Sequence, residues 1–406
     1  MRHGKNIIVK PHFDGQVADI VVVGGGPAGL GLVDALQKVL GNSQKILLLE
    51  KTDQFGGNAW ASLQHFRTYQ GHKDLSDAVA KTLEWYQKFS SNRRFPYVFI
   101  AKTRQKLVSF SNNLKQVNRW GYGKNAEILD AHQVYNRYQM IDEPIAGALV
   151  YPDAGWLDFK KGSEWIISHA RNSIFCLETS LLDIEVSRGK VVGVKTNRGK
   201  INTDTVICTL GPFILKMKNY IKDNELNNLL KNICVQKRQS FTSKLADLPP
   251  QSEGFFITQD GAYVRMIIGK DGMGVGRYGY ADSSDPCLER PQINPKPDED
   301  KFSKKVYDQL STIISRYNGV GLQKSLAAKP SHAMAGYYVQ TKDDMPIVSA
   351  TNINGLYILG ALSHLGIMTH IGLAQRMTDI ISKPQKMENN PFSLYRNQDE
   401  HRGIVL

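Results

Sequence analysis

Between Ala18 and Glu50 a continuous apolar run, a glycine turn, a helical repeat and a second apolar run follow one another directly, and few folds accept that succession. ADIVVV reads as a buried strand, Leu30, Val33, Leu36, Val39 and Leu40 recur at helical spacing, and KILLLE reads as a second strand. The segment is one βαβ unit. The turn between its first strand and helix is GGGPAG, and that context makes it a dinucleotide signal. Gly24 permits the tight turn, Gly26 lets the backbone approach a pyrophosphate, Gly29 allows close packing of helix on strand, and Pro27 and Ala28 complete the loop. The helix N-terminus offers free N–H donors and partial positive charge to the anion. Glu50 ends the second strand, where a carboxylate accepts from both ribose hydroxyls and repels a 2′-phosphate, favouring FAD or NAD over NADP. Lys51 and then FGGNAWASLQHFR, containing Asn58, form a small-residue and polar segment suited to run along a pyrophosphate towards an isoalloxazine ring. A glycine turn in a scaffold without cofactor is the alternative.

A chain of 406 residues is too long for one compact core and reads as a bilobal unit or two joined domains. Its 41% hydrophobic and 22% charged residues exclude a largely disordered chain. Cys176, Cys208, Cys234 and Cys287 show no CxxC spacing, so neither a metal site nor a disulfide framework is indicated, and a reducing compartment is expected. The N-terminus lacks the apolar region of a secretory signal, which makes the cytoplasm the expected location. The apolar stretch 355–374 raises a membrane span, but its glycines, histidines and serine favour a buried strand followed by a helix. The net charge of +13 favours anionic partners, yet it is dispersed and reads as a solvated basic surface, with nucleic acid not expected.

Further along, 74–89 reads as a helix capped by Asp74 or Ser76, and 157–172 as another. Residues 173–211 alternate as short strands with hairpin turns at 187–190 and 197–200. Strands are expected within 250–280, with Gly269, Gly272, Gly274 and Gly276 in turns. A long surface loop is expected over 282–300 and a surface helix over 301–318. The end, 336–382, reads as strand, loop, strand and closing helix, whereas 90–150 shows no clear pattern.

With these segments placed, the chain from about 19 to 382 resembles the D-amino-acid oxidase-like superfamily of flavoenzymes, which includes glycine oxidase, sarcosine oxidase and dimethylglycine dehydrogenase-type proteins. DIVVVGGGPAGLGLVDAL with LLLEK, GALVYPDAGWLDFKKGSEWI, LLDIEVSRGKVVGVKTNRGKINTDTVICTLGPF and YYVQTKDDMPIVSATNINGLYILGALSHLGI carry the resemblance. It implies an α/β fold: a Rossmann-like FAD-binding domain, discontinuous over 17–90, 150–222 and 325–385, and an α+β substrate lobe with an antiparallel sheet over 91–149 and 223–324. It also implies that Gly24, Gly26 and Gly29 meet the pyrophosphate, Glu50 the adenosine ribose and the Leu181 backbone adenine, that Gly211 and Gly360 pass close to the dinucleotide, and that Gly366 and Ile367 direct a helix N-terminus at the flavin.

The chain departs from the superfamily at three places. Tyr338 stands where α-amino-acid oxidases commonly place an arginine for the substrate carboxylate, Met368 where sarcosine oxidase-like members place a lysine, and Gly336 where they place a flavin-linking cysteine. FAD is therefore expected to be non-covalent. Substrate-pocket candidates are Tyr338, Arg265 with Tyr263 on the same strand face, Arg67 with Tyr69, and His364, with Tyr278 and Tyr280 behind them. His364 and His370 are equally readable as packed residues.

The expected activity is oxidation of a carbon–nitrogen bond of an amine or modified amino acid, with hydride transfer to flavin and oxygen or a redox partner as electron acceptor. The alternatives are a 2-hydroxy acid dehydrogenase with His364 as base, an RNA-modifying flavoenzyme and a non-enzymatic Rossmann-like interaction protein.

Overall fold

The computed structural model describes residues 6–41, 43–89, 92–141, 144–245, 252–268, 274–282, 284–298, 306, 308, 330–383 and 389–399. The first βαβ unit forms as its pattern requires, with strands Ile20–Val23 and Ile46–Leu49 paired in parallel across the helix Pro27–Leu40. These strands are apolar at every position because both faces of their sheet are covered. The sheet has seven strands in the order Ile7–Val9, Ser173–Leu177, Ile46–Leu49, Ile20–Val23, Val206–Cys208, Leu356–Gly360 and Ile347–Ala350. Its pairs are parallel except the last, where Ile347–Ala350 folds back on its neighbour.

One face packs on the helices Pro27–Leu40, Lys73–Tyr86, Phe159–His169 and Gly366–Ser382 through a core containing Leu30, Val33, Leu36, Val79 and Ile371. The second of these helices is capped by the His72 side chain, which accepts from the Asp74 N–H, rather than by Asp74 or Ser76. The opposite face packs on strands Leu181–Ser187, Lys190–Thr196 and Gly199–Asn202, extended by Phe13–Val17. Their hairpin turns fall where the Arg-Gly and Asn-Arg-Gly signals lie. Residues 355–374 divide between the strand Leu356–Gly360 and the closing helix, and among the described residues no helix is long and apolar enough to cross a membrane.

An eight-stranded sheet runs His332–Gln340, Cys234–Leu245, Gly274–Tyr280, Ala262–Ile268, Gly254–Ile257, Tyr97–Ala101, Gly147–Tyr151 and Glu127–Asp130. All its pairs are antiparallel except Gly254–Ile257 with Tyr97–Ala101. Gly274 and Gly276 lie inside a strand, not in turns, since that strand is held by ladders on both sides. Gly269, Gly272 and nearly all of the helix expected over 301–318 lie outside the described residues. A small sheet of His65–Arg67, Ala154–Trp156 and Arg93–Arg94 places His65 and Arg67 beside the larger one.

The cysteine expectation is corrected. Cys234 and Cys287 form a disulfide with Cα atoms 5.1 Å apart, fixing the loop after the strand Gly274–Tyr280 to the strand Cys234–Leu245. This removes the ground on which cysteine spacing pointed to a reducing compartment. Cys176 and Cys208 are buried thiols.

Candidate active site

A cavity of about 1740 Å³ lies between one face of the eight-stranded sheet and the carboxyl ends of the parallel strands, the usual position for a ligand of an open α/β sheet. Its volume exceeds that of a pocket for a drug-sized molecule and suits an extended dinucleotide with substrate.

At one end the glycine turn opens into it. Gly24 has φ +114°, and a Cβ there would lie 2.3 Å from the Thr209 carbonyl oxygen. Thr209 Oγ1 donates to the Gly24 carbonyl and braces the turn. A Cβ on Gly29 would lie 1.9 Å from the Gly24 oxygen, so Gly29 is a packing position set behind the cavity wall and not the pyrophosphate contact that the resemblance implied. Gly26 differs from both: a Cβ there would meet nothing within 4 Å and would project into open space beside the helix N-terminus. That N-terminus has no side-chain cap and no acid in its first turn, which leaves its donors to an anion. Pro27 and Ala28 line the same wall.

Glu50 is buried, and its carboxylate accepts from the Gly25 N–H and the Thr52 N–H, each at 2.8 Å, while the Thr52 hydroxyl lies 2.8 Å from both Glu50 Oε1 and the Gln54 carbonyl. A carboxylate has about four acceptor positions; two are filled by these backbone N–H groups, and room for ribose hydroxyls depends on which acceptor the single Thr52 hydroxyl proton takes. Lys51 lines the cavity over the Phe213 ring, and burial lowers its pKa to about 8 despite the Glu50 charge. Leu181, Gly211 and Gly360 continue the wall, and Gly366 and Ile367 bring the uncapped N-terminus of the closing helix to it. Asn58 also lines the cavity, but its amide is engaged: Nδ2 donates to the Tyr337 carbonyl and Oδ1 accepts the Tyr337 N–H. This clamp accounts for Gly336, since a Cβ there would lie 2.7 Å from Asn58 Oδ1 and 2.9 Å from Ala61 Cβ.

The other end is lined by Tyr338, His364, Tyr263 and Arg67, with Tyr97, His65 and Arg238. Arg67 is buried at 7% exposure, its Nε has no hydrogen-bond partner, and among the described residues it has no carboxylate within 4 Å. His364 Nε2 lies 3.4 Å from Arg67 Nη2, and its Nδ1 lies 3.2 Å from Ser363 Oγ. Burial, then the charges of Arg67 and Arg238, lower the His364 pKa to about 3. The Tyr338 and His364 rings lie 5.9 Å apart, with Arg238 5.3 Å from the Tyr338 ring centre. Arg238 is paired with Asp285.

Arg265 shares the strand face of Tyr263 but stands behind the cavity wall, where it donates to the Leu63 carbonyl and to His65. Tyr69 is fully buried and stacked on Tyr151 at 4.8 Å, outside the cavity lining. Tyr278 packs on Phe241 beneath the sheet. Its neighbour Arg277, on the opposite face, donates to the Ala61 and Ser62 carbonyls and to Ser240. His370 is a packed residue: its Nδ1 donates to the Ile367 carbonyl at 2.7 Å, with its ring against Tyr86 and Phe159. Tyr97 and His65 had no signal in the sequence. Tyr97 falls in YVFIA, which reads as core, and its hydroxyl meets His65 Nδ1 at 3.0 Å across 32 residues.

The family described as FAD dependent oxidoreductase (DAO) matches residues 19–380. L-proline dehydrogenase from P. horikoshii superposes with a TM-score of 0.75 at 19% identity, covering 94% of this chain and 98% of that one. Glycine oxidase from Bacillus cereus superposes at 0.69 and 16% identity over 94% and 99% of the two chains. L-α-glycerophosphate oxidase from Mycoplasma pneumoniae, whose structure holds FAD, superposes at 0.69 and 12% identity over 90% and 95%. At these identities the superpositions establish a shared fold. With the family match running through both the glycine turn and the closing helix, this chain belongs to the DAO family of FAD-dependent oxidoreductases and has FAD as its cofactor.

Proposed function

We propose that the chain oxidises a carbon–nitrogen bond in an amine that carries a carboxylate, an amino acid or modified amino acid. The carrying observation is Arg67, a buried guanidinium lining the cavity with no carboxylate partner among the described residues. A guanidinium has a planar set of donors that matches a carboxylate, and a substrate anion there would supply the missing charge. Arg67 thus takes the part that Tyr338 and Met368 leave unfilled.

In this reading Gly24, Gly26 and the first turn of the helix Pro27–Leu40 hold the pyrophosphate, Glu50 the ribose, and Gly366 and Ile367 the flavin end. FAD supplies the hydride acceptor. The protein orients the substrate and controls its protonation. Arg67, Arg238, Arg265 and Arg277 surround this end of the cavity with Asp285 as the paired carboxylate. Their field disfavours an ammonium ion and favours the neutral amine, the form able to release hydride.

Oxidation of a 2-hydroxy acid would require a base for the hydroxyl proton. His364 is poorly suited, because Arg67 can only donate and so occupies the Nε2 lone pair, and its pKa of about 3 makes it a weak base. Anaerobic titration of the FAD-loaded protein with a panel of amines and hydroxy acids tests the proposal. Bleaching of the flavin band by amines bearing a carboxylate is expected, and bleaching by hydroxy acids alone overturns it.

A further inference from the structure

The strand Cys234–Leu245 pairs with Gly274–Tyr280 only from Ser240 onwards. The edge so vacated along its first half is taken by residues 284–298, a strap that belongs to no helix or strand beyond the single bridge Gln236–Cys287. Pro286, Pro291, Pro295 and Pro297 have no N–H to give, so the strap cannot build a ladder of its own. It is held from outside instead. The Leu288 N–H donates to the Val235 carbonyl at 2.8 Å, and the Gln292 N–H to the Tyr337 hydroxyl at 2.9 Å. Gln236 Nε2 donates to the Asp285 carbonyl, and the Asp298 N–H to Gln239 Oε1. The Cys234–Cys287 disulfide is the covalent tether. Each hydrogen bond gains little over the same groups in water, so these bonds open and close, and the disulfide keeps the strap beside its strand while they do.

The strap is also part of the cavity wall. Ile293, Asn294, Pro295 and Pro297 line the cavity, as do Cys234 and Arg238 on the neighbouring strand. Asp285, close to Cys287 in the strap, pairs with Arg238, whose guanidinium lies 5.3 Å from the centre of the Tyr338 ring. The disulfide thus sets where the carboxylate facing Arg238 sits. Cys287 is exposed and Cys234 half-buried, so a thiolate can reach the bond from solvent. Cys176 and Cys208 are buried in strands of the parallel sheet.

We propose that Cys234–Cys287 is a redox modification site governing closure of the FAD cavity: the disulfide fastens the strap 284–298 against Cys234–Leu245, and reduction by an external dithiol releases it. A thiolate of the dithiol attacks the exposed Cys287 Sγ, the S–S bond breaks, and Cys234 leaves as a thiolate that takes a proton. The second thiol of the reductant then displaces Cys287, which is protonated in turn. The protein gains two electrons and two protons, and the reductant departs as its own disulfide. With the strap free, Asp285 leaves Arg238 and water enters beside Tyr338. The inference depends on the FAD cavity and not on the carboxylated-amine reading, so either can fail alone.

The test compares the full FAD-loaded chain before and after dithiothreitol, with alkylation and peptide mass confirming thiols at Cys234 and Cys287. Hydrogen exchange read by mass spectrometry should show the Leu288, Gln292 and Asp298 amides exchanging roughly tenfold faster or more once reduced, as for the loss of a tether worth one hydrogen bond. That exchange should depend only weakly on low urea concentrations, the mark of a local opening. Iodide should quench the bound flavin more steeply, and reoxidation should reverse both effects. Cys287→Ser should behave as the reduced chain does and no longer respond to dithiothreitol. Should Cys287→Ser fail to take up FAD, reduction of the wild-type chain decides by itself. Unchanged strap exchange and iodide quenching in the fully reduced chain overturn the inference. So does strap exchange that rises with urea as steeply as that of the amides in Ile20–Val23, since the disulfide would then act only on global stability.

Discussion

Gly26 and Gly29 stand three residues apart in one turn, and the structure gives a methyl group opposite consequences at each. At Gly29 a Cβ would sit 1.9 Å from the Gly24 carbonyl oxygen, a backbone atom that moves only if the turn moves. Gly29→Ala should therefore destabilise the protein with or without FAD, by about 1–3 kcal/mol or more, the usual cost of overpacking. At Gly26 the backbone has φ −76°, open to any residue, and the Cβ meets nothing within 4 Å. Gly26→Ala should leave the FAD-free protein within about 0.5 kcal/mol of wild type. The same methyl group projects where the pyrophosphate would lie, and a clash of about 1–3 kcal/mol corresponds to a roughly 5- to 150-fold rise in the FAD Kd. Urea denaturation of the FAD-free variants and fluorescence titration with FAD separate the two effects. Wild-type FAD affinity in Gly26→Ala would show that the pyrophosphate does not pass this turn, and a destabilised FAD-free Gly26→Ala would refute the open position.

Arg67→Met should lower kcat/KM for a carboxylated amine about 10- to 100-fold while an amine without a carboxylate is oxidised no more slowly, as expected for a charge-assisted contact; equal losses on both substrates would assign Arg67 a structural role. The His364 and His370 pKa values lie at about 3 and 4 in the folded chain, below the unfolded value near 6.5, so between these limits the unfolded state binds more protons. Stability should thus fall as pH drops from 6.5 towards 4, by up to about 1.4 kcal/mol per pH unit for each histidine. Denaturation midpoints measured across that range check the sign, and His370→Gln should flatten the slope. Reduction of Cys234–Cys287, which closes a loop 53 residues long, should cost about 2–4 kcal/mol. An unchanged urea midpoint with added phosphine reductant, despite two thiols appearing by mass, would contradict it.

Where local chemistry sets local structure, the sequence was readable. The strand, turn and helix from Ile20 to Leu49 follow from apolar periodicity and from glycines that only a tight turn and close packing require. The hairpins before Lys190 and Gly199 and the closing strand and helix follow in the same way, because turn residues and period 2 or 3.6 act over a few positions. The glycine turn and Glu50 thereby pointed to a dinucleotide cofactor without any tertiary information.

The end of the cavity around Arg67 and His364 was decided only by the tertiary structure. Which face a strand residue takes depends on register with partners far away, and a shift of one residue exchanges the faces. Thus Arg277 lies on the cavity side and Tyr278 beneath the sheet, although the letters favour neither. Cys234 finds Cys287 across 53 residues, and Arg67 finds His364 across 297. Tyr97 reads as core within YVFIA until the fold brings its hydroxyl to 3.0 Å from His65, on another strand. Hydrogen-bond direction belongs to the assembled network, and no segment carries it alone.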